Sequence, residues 1–484
     1  MIGVWDTVEL EFQGKTNGNP FTDYEIYGEF TCGDKIKRTA GFYDGDGVYK
    51  IRFMPDQKGC YSYRIYGSFS DEEFRGSFDV GNAASRGPVK AEGRHFIYSD
   101  GTPYYSIGTT CYGWANQREE LQDQTIETLK ENSFNKIRFC IFPKHYDYNY
   151  RDPVRFPYVG TPVSNSGIDK FTFEDYYKIS QENKWDFTRF DTEYFRMIDR
   201  NIVRLMELGI EADLILFHPY DRWGFSNMPA EANELYLKYV TARFSAYRNV
   251  WWSLANEYDL CKSKTIEDWE NYADIVTSND PYSHLISIHN CVKLYDFTKP
   301  WVTHCSIQRQ VGGNELDNIY SWLDKYNKPI VIDEMCYEGN IEQYWGNISG
   351  QEMTRRMWKT VVLGAYPGHS ECYLNKDIWW SHGGRLYGES HKRFGFLHKI
   401  MSETGVLHPV DYTAAENADG SVRLEYYGEH RPCYKIFKLG NEKCRIEVID
   451  TWEMTVKDMG IYSGNVKIEL PAHEYMAVKI TKQR

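Results

Sequence analysis

Val250-Trp251-Trp252-Ser253-Leu254-Ala255-Asn256-Glu257-Tyr258-Asp259-Leu260 opens as a short apolar run and ends in a polar Asn-Glu pair. A buried parallel strand has this form when its C-terminal end enters a cavity. Pro329-Ile330-Val331-Ile332-Asp333-Glu334-Met335-Cys336-Tyr337 has the same form and also ends in a carboxylate. In a (β/α)8 barrel, the C-terminal ends of the strands carry the functional side chains.

The flanking sequence supplies the rest of such a barrel. Tyr104 to Thr110 is predicted as strand 1, Asn135 to Phe142 as strand 2, and Glu211 to Phe217 as strand 3, reaching His218. Strand 4 leads to Glu257, and Leu285 to Asn290 is strand 5. Trp301 to His304 is strand 6, the second quoted stretch is strand 7, and strand 8 falls between Gly364 and Tyr373. Helices are expected near Gln124 to Glu131, Tyr194 to Leu208, Ala230 to Tyr247 and His391 to Met401. The second of these is amphipathic through Phe195, Ile198, Ile202, Leu205 and Met206. The segment from Pro143 to Asp191 is too long for a plain connection and is expected to overhang the barrel mouth.

Short alternating strands precede and follow this region, among them Val8 to Phe12, Tyr24 to Phe30, Val422 to Tyr427 and Tyr475 to Ile480. The expected fold class is therefore α/β. A (β/α)8 TIM barrel over residues 86–402 lies between an N-terminal immunoglobulin-like β-sandwich, 1–85, and a small C-terminal β-sandwich, 403–484. Asn82 to Pro88 reads as the first linker.

Two glutamates at the ends of two barrel strands suit glycoside hydrolysis, one as acid and base, the other as nucleophile. The ordered pair resembles the clan A retaining glycoside hydrolases, in which the two glutamates follow strands 4 and 7. With a sandwich before the barrel and another after it, the chain looks most like the apiosidase-like branch. The resemblance implies Glu257 as acid/base, Glu334 as nucleophile and Asn256 as a hydrogen-bond partner of a sugar hydroxyl. Burial and the negative charge of Glu334 would raise the Glu257 pKa. Period-two alternation directs Ile330, Ile332 and Glu334 inward and Asp333 toward the helices. Asp333, Glu338 and Glu371 are the lesser carboxylates.

The resemblance also implies that Arg138, on strand 2, supports the nucleophile, and that His218, ending strand 3, binds substrate. Relatives commonly place a Tyr near strand 6 against the nucleophile. His304-Cys305-Ser306 lacks it, which leaves that support open, with His304 and Tyr337 as nearby candidates. Asn290, Glu371 and the tryptophans Trp114, Trp223, Trp379 and Trp380, in predicted loops, complete the expected sugar contacts. Trp251 and Trp252 are read as core.

A net charge of −13 argues against a nucleic-acid or anionic-membrane partner, which a basic surface would recruit. No run of about 18 apolar residues is present, so no transmembrane helix is expected. Met1 to Asp6 enters a domain without the segments of a signal peptide. The 11 cysteines show no Cys-x-x-Cys spacing, which fits free thiols in a reducing, cytoplasmic setting. The expected partner is a carbohydrate substrate, with a homo-oligomer left open. Two carboxylates suffice, so no cofactor or metal is expected. One rival is a metal hydrolase using His218, His289, His304 and His369, although no His-Glu-x-x-His is present. The other is a non-catalytic carbohydrate-binding protein.

Overall fold

The computed structural model describes residues 2–163, 173–310, 316–374 and 377–483. Eight parallel strands form one sheet: Gly108–Thr110 (β1), Lys136–Cys140 (β2), Glu211–Phe217 (β3), Val250–Ala255 (β4), Ile286–Ser287 (β5), Cys305–Gln308 (β6), Ile330–Glu334 (β7) and Tyr366–His369 (β8). Their order is β5-β4-β3-β2-β1-β8-β7-β6, and a parallel bridge between His289 and Ser306 closes the ring. This is the expected (β/α)8 barrel. Every residue of β3, β4 and β7 is buried, because helices cover the outside and side chains fill the inside. That is why these strands read as mostly apolar, with Asp213 and Asp333 the buried exceptions inside β3 and β7.

The helices start where local chemistry lets them. Asp191 accepts hydrogen bonds from the Glu193 and Tyr194 amides and opens Thr192–Glu207. Thr265 and Asp268 form a capping box at the start of Ile266–Asn279. The segment from Pro143 to Asp191 is more than a loop. It contains a hairpin, Tyr158–Thr161 with Lys184–Phe190, and a helix, Phe173–Ser180, while residues 164–172 lie outside the described residues.

Two strand predictions need correction. Strand 6 is Cys305–Gln308, not Trp301 to His304. His304 therefore sits at the N-terminal end of the barrel, packed against Phe96 and Trp251. Strand 7 departs from simple alternation. Ile307 pairs with Ile332 and Gln308 with Glu334, so Asp333 is an extra residue, a β-bulge. Ser306 points into the barrel and pairs with Val331, so Val331 and Asp333 face inward and Ile330 and Ile332 outward, the reverse of the expected phase. The bulge then lets Glu334 face inward as well, and the Asp333 carboxylate accepts from Lys136 Nζ at 2.7 Å. Neighbouring β8 accommodates this only because residue 368 is glycine: a Cβ there would lie 2.5 Å from the Asp333 carbonyl oxygen.

A five-stranded and a three-stranded sheet form the N-terminal sandwich, and Phe30 stacks on Phe53 between them at 4.0 Å. At the C-terminal end, a six-stranded sheet packs Leu424, Tyr426, Ile449 and Ala477 into the barrel's own hydrophobic core.

A buried ion cluster fastens the N-terminal sandwich to the barrel. Asp199 meets Arg52 and Arg243 at 2.5 Å each, and Arg243 reaches Asp44 at 2.7 Å. Removing one member of a buried ion pair leaves an uncompensated charge. Asp199→Ala is expected to cost about 3–5 kcal/mol, read as a clear fall in thermal melting temperature. An unchanged melting temperature would show that the cluster does not hold the two parts together.

Candidate active site

Glu334 ends β7 and lies among donors from four other strands or their ends. The Tyr112 hydroxyl, just past β1, donates to its Oε1. His289 Nε2, after β5, lies 3.2 Å from the same oxygen, and Arg138 Nη1, on β2, lies 3.6 Å away. Burial alone would raise this carboxyl's pKa. The hydrogen bond and charge from His289, the Arg138 charge and the Tyr112 hydrogen bond outweigh burial and hold it below the ordinary range. Asn256 links the same groups: its Oδ1 accepts from Arg138 Nη1 at 2.8 Å and from the Tyr112 hydroxyl at 3.1 Å.

Glu257 follows β4, and the Tyr220 hydroxyl donates to its Oε2. Burial, then the negative charge of Glu334, raises the Glu257 pKa; the Tyr220 hydrogen bond and the Lys144 charge oppose the rise. The Glu257 backbone is left-handed, with φ at 51° and ψ at 56°, a conformation that L-residues other than glycine, Asn and Asp rarely adopt.

Gln308, the last residue of β6, joins the two carboxylates. Its amide nitrogen faces them, donating to Glu334 Oε2 at 3.0 Å and Glu257 Oε1 at 3.1 Å, while its oxygen accepts from Gln310 Nε2 at 3.2 Å. The opposite orientation would press an amide oxygen against both carboxylates. Two oxygens held at those distances from one nitrogen lie no more than about 6.1 Å apart.

Around this site, residues 90–418 match the apiosidase-like catalytic domain. The chain belongs to the apiosidase-like family. Domains of unknown function match residues 1–68 and 411–481. A crystal structure from Bacteroides vulgatus ATCC 8482, provisionally described as a glycoside hydrolase, is 35% identical. The similarity covers 100% of this chain and 99% of that one, with a TM-score of 0.91. A glycoside hydrolase family 5 structure from the same organism is 14% identical over 82% of this chain and 94% of that one, with a TM-score of 0.61, a likeness of fold. No curated protein matches the sequence.

Not every residue expected at the site of this apiosidase-like chain is there. Glu257, Glu334, Asn256 and Arg138 converge. Tyr337 is buried with its hydroxyl unpartnered, close enough to Glu334 for that charge to raise its pKa. His218 holds the Phe142 carbonyl at 3.3 Å through Nε2 and leaves Nδ1 unpartnered. Asn290 accepts from the Gln308 amide at 3.3 Å and so braces the end of β6 rather than facing a sugar.

Four expected contacts are corrected by burial. Trp114 packs edge-on against Phe139, Trp223 packs among His145, Phe156 and Phe225, and both are fully enclosed. Trp379 donates to Thr109 Oγ1 at 2.9 Å inside the core. Its neighbour Trp380 is the tryptophan that reaches the site, 5.5 Å from the Tyr112 ring. Glu371 binds the Tyr387 and Gly388 amides at 2.5 and 2.8 Å and shapes the turn before the last barrel helix, Ser390–Thr404. His304 is the fifth correction, already placed at the barrel's far end.

Tyr112, Tyr220, Gln308 and Lys144 were not picked out as site residues from the sequence, and His289 entered only as a ligand of the metal rival. Its place at the end of a predicted strand could have set it beside Glu334. Gln308 was hidden by the misplaced strand 6, and the two tyrosines carry no local signal.

Glu371→Ala strands the buried Gly388 amide, at about 1–3 kcal/mol, and frees the half-buried Tyr387 amide. The variant is expected to melt at a lower temperature, with affinity for carbohydrate unchanged once folded. Weakened carbohydrate binding at full stability would return Glu371 to the site.

Proposed function

We propose that this apiosidase-like chain is a retaining glycoside hydrolase. The observation that supports it best is the single Gln308 nitrogen touching both carboxylates. Retaining enzymes hold their carboxyl groups about 5–5.5 Å apart and inverting ones about 6.5–9.5 Å, which leaves room for a water. The bound of about 6.1 Å is on the two nearest oxygens, and it accords with the retaining separation.

Glu334, kept ionised by Arg138, His289 and Tyr112, attacks the anomeric carbon. Glu257, kept protonated by burial and the Glu334 charge, gives its proton to the departing oxygen. The glycosyl–Glu334 ester carries no charge, so Glu257 loses the neighbour that raised its pKa and turns into a base. It then takes a proton from the water that attacks the same carbon, and Glu334 leaves as a carboxylate. Tyr112 takes the nucleophile-supporting part that relatives give to a residue near strand 6. The provisional glycosidase description of the 35%-identical structure agrees with this reading.

The finer reading is exo-action on short plant-type oligosaccharides or glycosides. The long segment after β2, which brings Lys144 and Tyr146 against Tyr220 and Trp380, supports a closed end to the site. Eleven free cysteines fit a cytoplasmic setting, and no described helix is long and apolar enough to cross a membrane. The metal reading finds no support: among the described residues, no three His, Cys, Asp or Glu side chains are grouped to hold an ion. His304 and His369 lie apart, the first against Phe96, the second against Thr109 and Phe134.

Proton NMR of the first-formed product is expected to show the configuration of the substrate; inversion would sink double displacement. Glu334→Gly is expected to be inactive until azide is added with an activated glycoside, giving an inverted glycosyl azide. Glu257→Ala is expected to lose about 10²–10⁴-fold on poor leaving groups, and azide should rescue it with retention. Rescue with one configuration in both variants would overturn the roles.

The pH profile of kcat/KM should be bell-shaped, falling in acid as Glu334 protonates and in base as Glu257 loses its proton. Tyr112→Phe removes a hydrogen bond that favours the Glu334 anion, so its pKa rises and the acid limb moves toward neutral pH. The opposite displacement, or none, would remove Tyr112 from that role.

A further inference from the structure

Lys144 is buried beside the carboxylates, at 4% exposure. Nζ lies 3.5 Å from the centre of the Tyr112 ring, 4.4 Å from Trp380, 4.5 Å from Tyr220 and 5.5 Å from Tyr146. Among the described residues, no carboxylate comes within ion-pairing distance of it, and no hydrogen bond from Nζ is made. The other buried lysine of the barrel, Lys136, is flanked by Asp213 and Asp333 at 2.8 and 2.7 Å. The contrast is between a cation paired with two anions and one that, among the described residues, feels the Glu257 and Glu334 charges without pairing with either.

Aromatic faces attract an ammonium but carry no net charge and take none of its three hydrogen bonds in the way an oxygen does. A desolvated charge in such a setting is costly unless something pairs with it. The cage is also part of the reaction site, because the Tyr112 hydroxyl holds Glu334 and the Tyr220 hydroxyl holds Glu257. Whatever meets the ammonium belongs to the substrate. A neutral hydroxyl would satisfy hydrogen bonds but leave the charge unpaired; a carboxylate would do both. His218, whose Nδ1 is buried without a partner, lies close enough for the Lys144 charge to lower its pKa.

We infer that Lys144 selects a substrate bearing a carboxylate next to the bond that is cleaved: a uronic acid glycoside rather than a neutral one. The inference rests on the hydrolase reading above. Burial lowers the ammonium's pKa to about 8, which leaves it charged at neutral pH.

The test is calorimetric titration of the wild-type protein with glucuronate and galacturonate, each beside its neutral parent sugar and its uronate methyl ester. At least one uronate is expected to bind about tenfold or more tightly than both uncharged counterparts. Lys144→Met, confirmed folded by its melting curve, should lose that preference, and Lys144→Arg should keep part of it. Should Lys144→Met fail to fold, the acid-against-ester comparison on the wild type decides alone. If no uronate outbinds its ester and parent sugar, or if Lys144→Met keeps the preference, the inference is overturned. Nitrophenyl glycosides of the same sugars separate the two readings. Cleavage of neutral glycosides without uronate preference removes only the role of Lys144. Uronate preference without cleavage of any glycoside removes only the hydrolase.

Discussion

A lysine ammonium on the barrel axis governs much of what lies above it. Lys136 is fully enclosed, and its charge is tolerable only because Asp213 on β3 and Asp333 on β7 close on it from two sides. Asp333 reaches it from the inner face of β7, and the backbone there fits only against Gly368. The same extra residue carries Glu334 on to the barrel mouth. The position of the nucleophile candidate and the neutralisation of a buried charge are thus one backbone feature.

The interior is arranged as two tiers of charge. In the lower tier Lys136 is paired on both sides, and burial of Asp333 is overcome by Lys136 so that its carboxyl stays ionised. In the upper tier Arg138 stands by Glu334, while the Lys144 charge that reaches Glu257 makes no ion pair with it. Ser306 connects the tiers, donating to Asp333 at 2.6 Å and meeting His289 Nδ1 at 2.9 Å, while His289 turns its other nitrogen to Glu334. A network of this kind holds orientation more firmly than any single contact.

Much of this was legible in the sequence where one local rule dominated. Burial on both faces made β3, β4 and β7 mostly apolar, and β3 ran over the predicted residues. The Asn256-Glu257 ending marked the mouth. Legibility failed where a rule was interrupted or where contact joined distant residues. Asp333 was turned the wrong way because the phase was counted back from Glu334, across a bulge that the sequence does not announce. His304 was placed in the site because a short apolar stretch does not reveal which of its residues pair with β7. Trp114, Trp223 and Trp379 were taken as sugar platforms, yet a tryptophan near a strand end is equally at home in a core, and packing alone decides. Tyr112 and Tyr220 sit in ordinary-looking connections and acquire meaning only across the barrel.

The left-handed backbone at Glu257 has a further consequence for how this protein changes over time. An L-side chain in that conformation costs about 1–2 kcal/mol, whereas glycine adopts it without strain. The residue best suited to the local geometry is therefore one with no carboxyl at all. Selection for robustness alone, as in a search for heat-resistant variants, would favour discarding the proposed proton donor, and only selection for turnover keeps it.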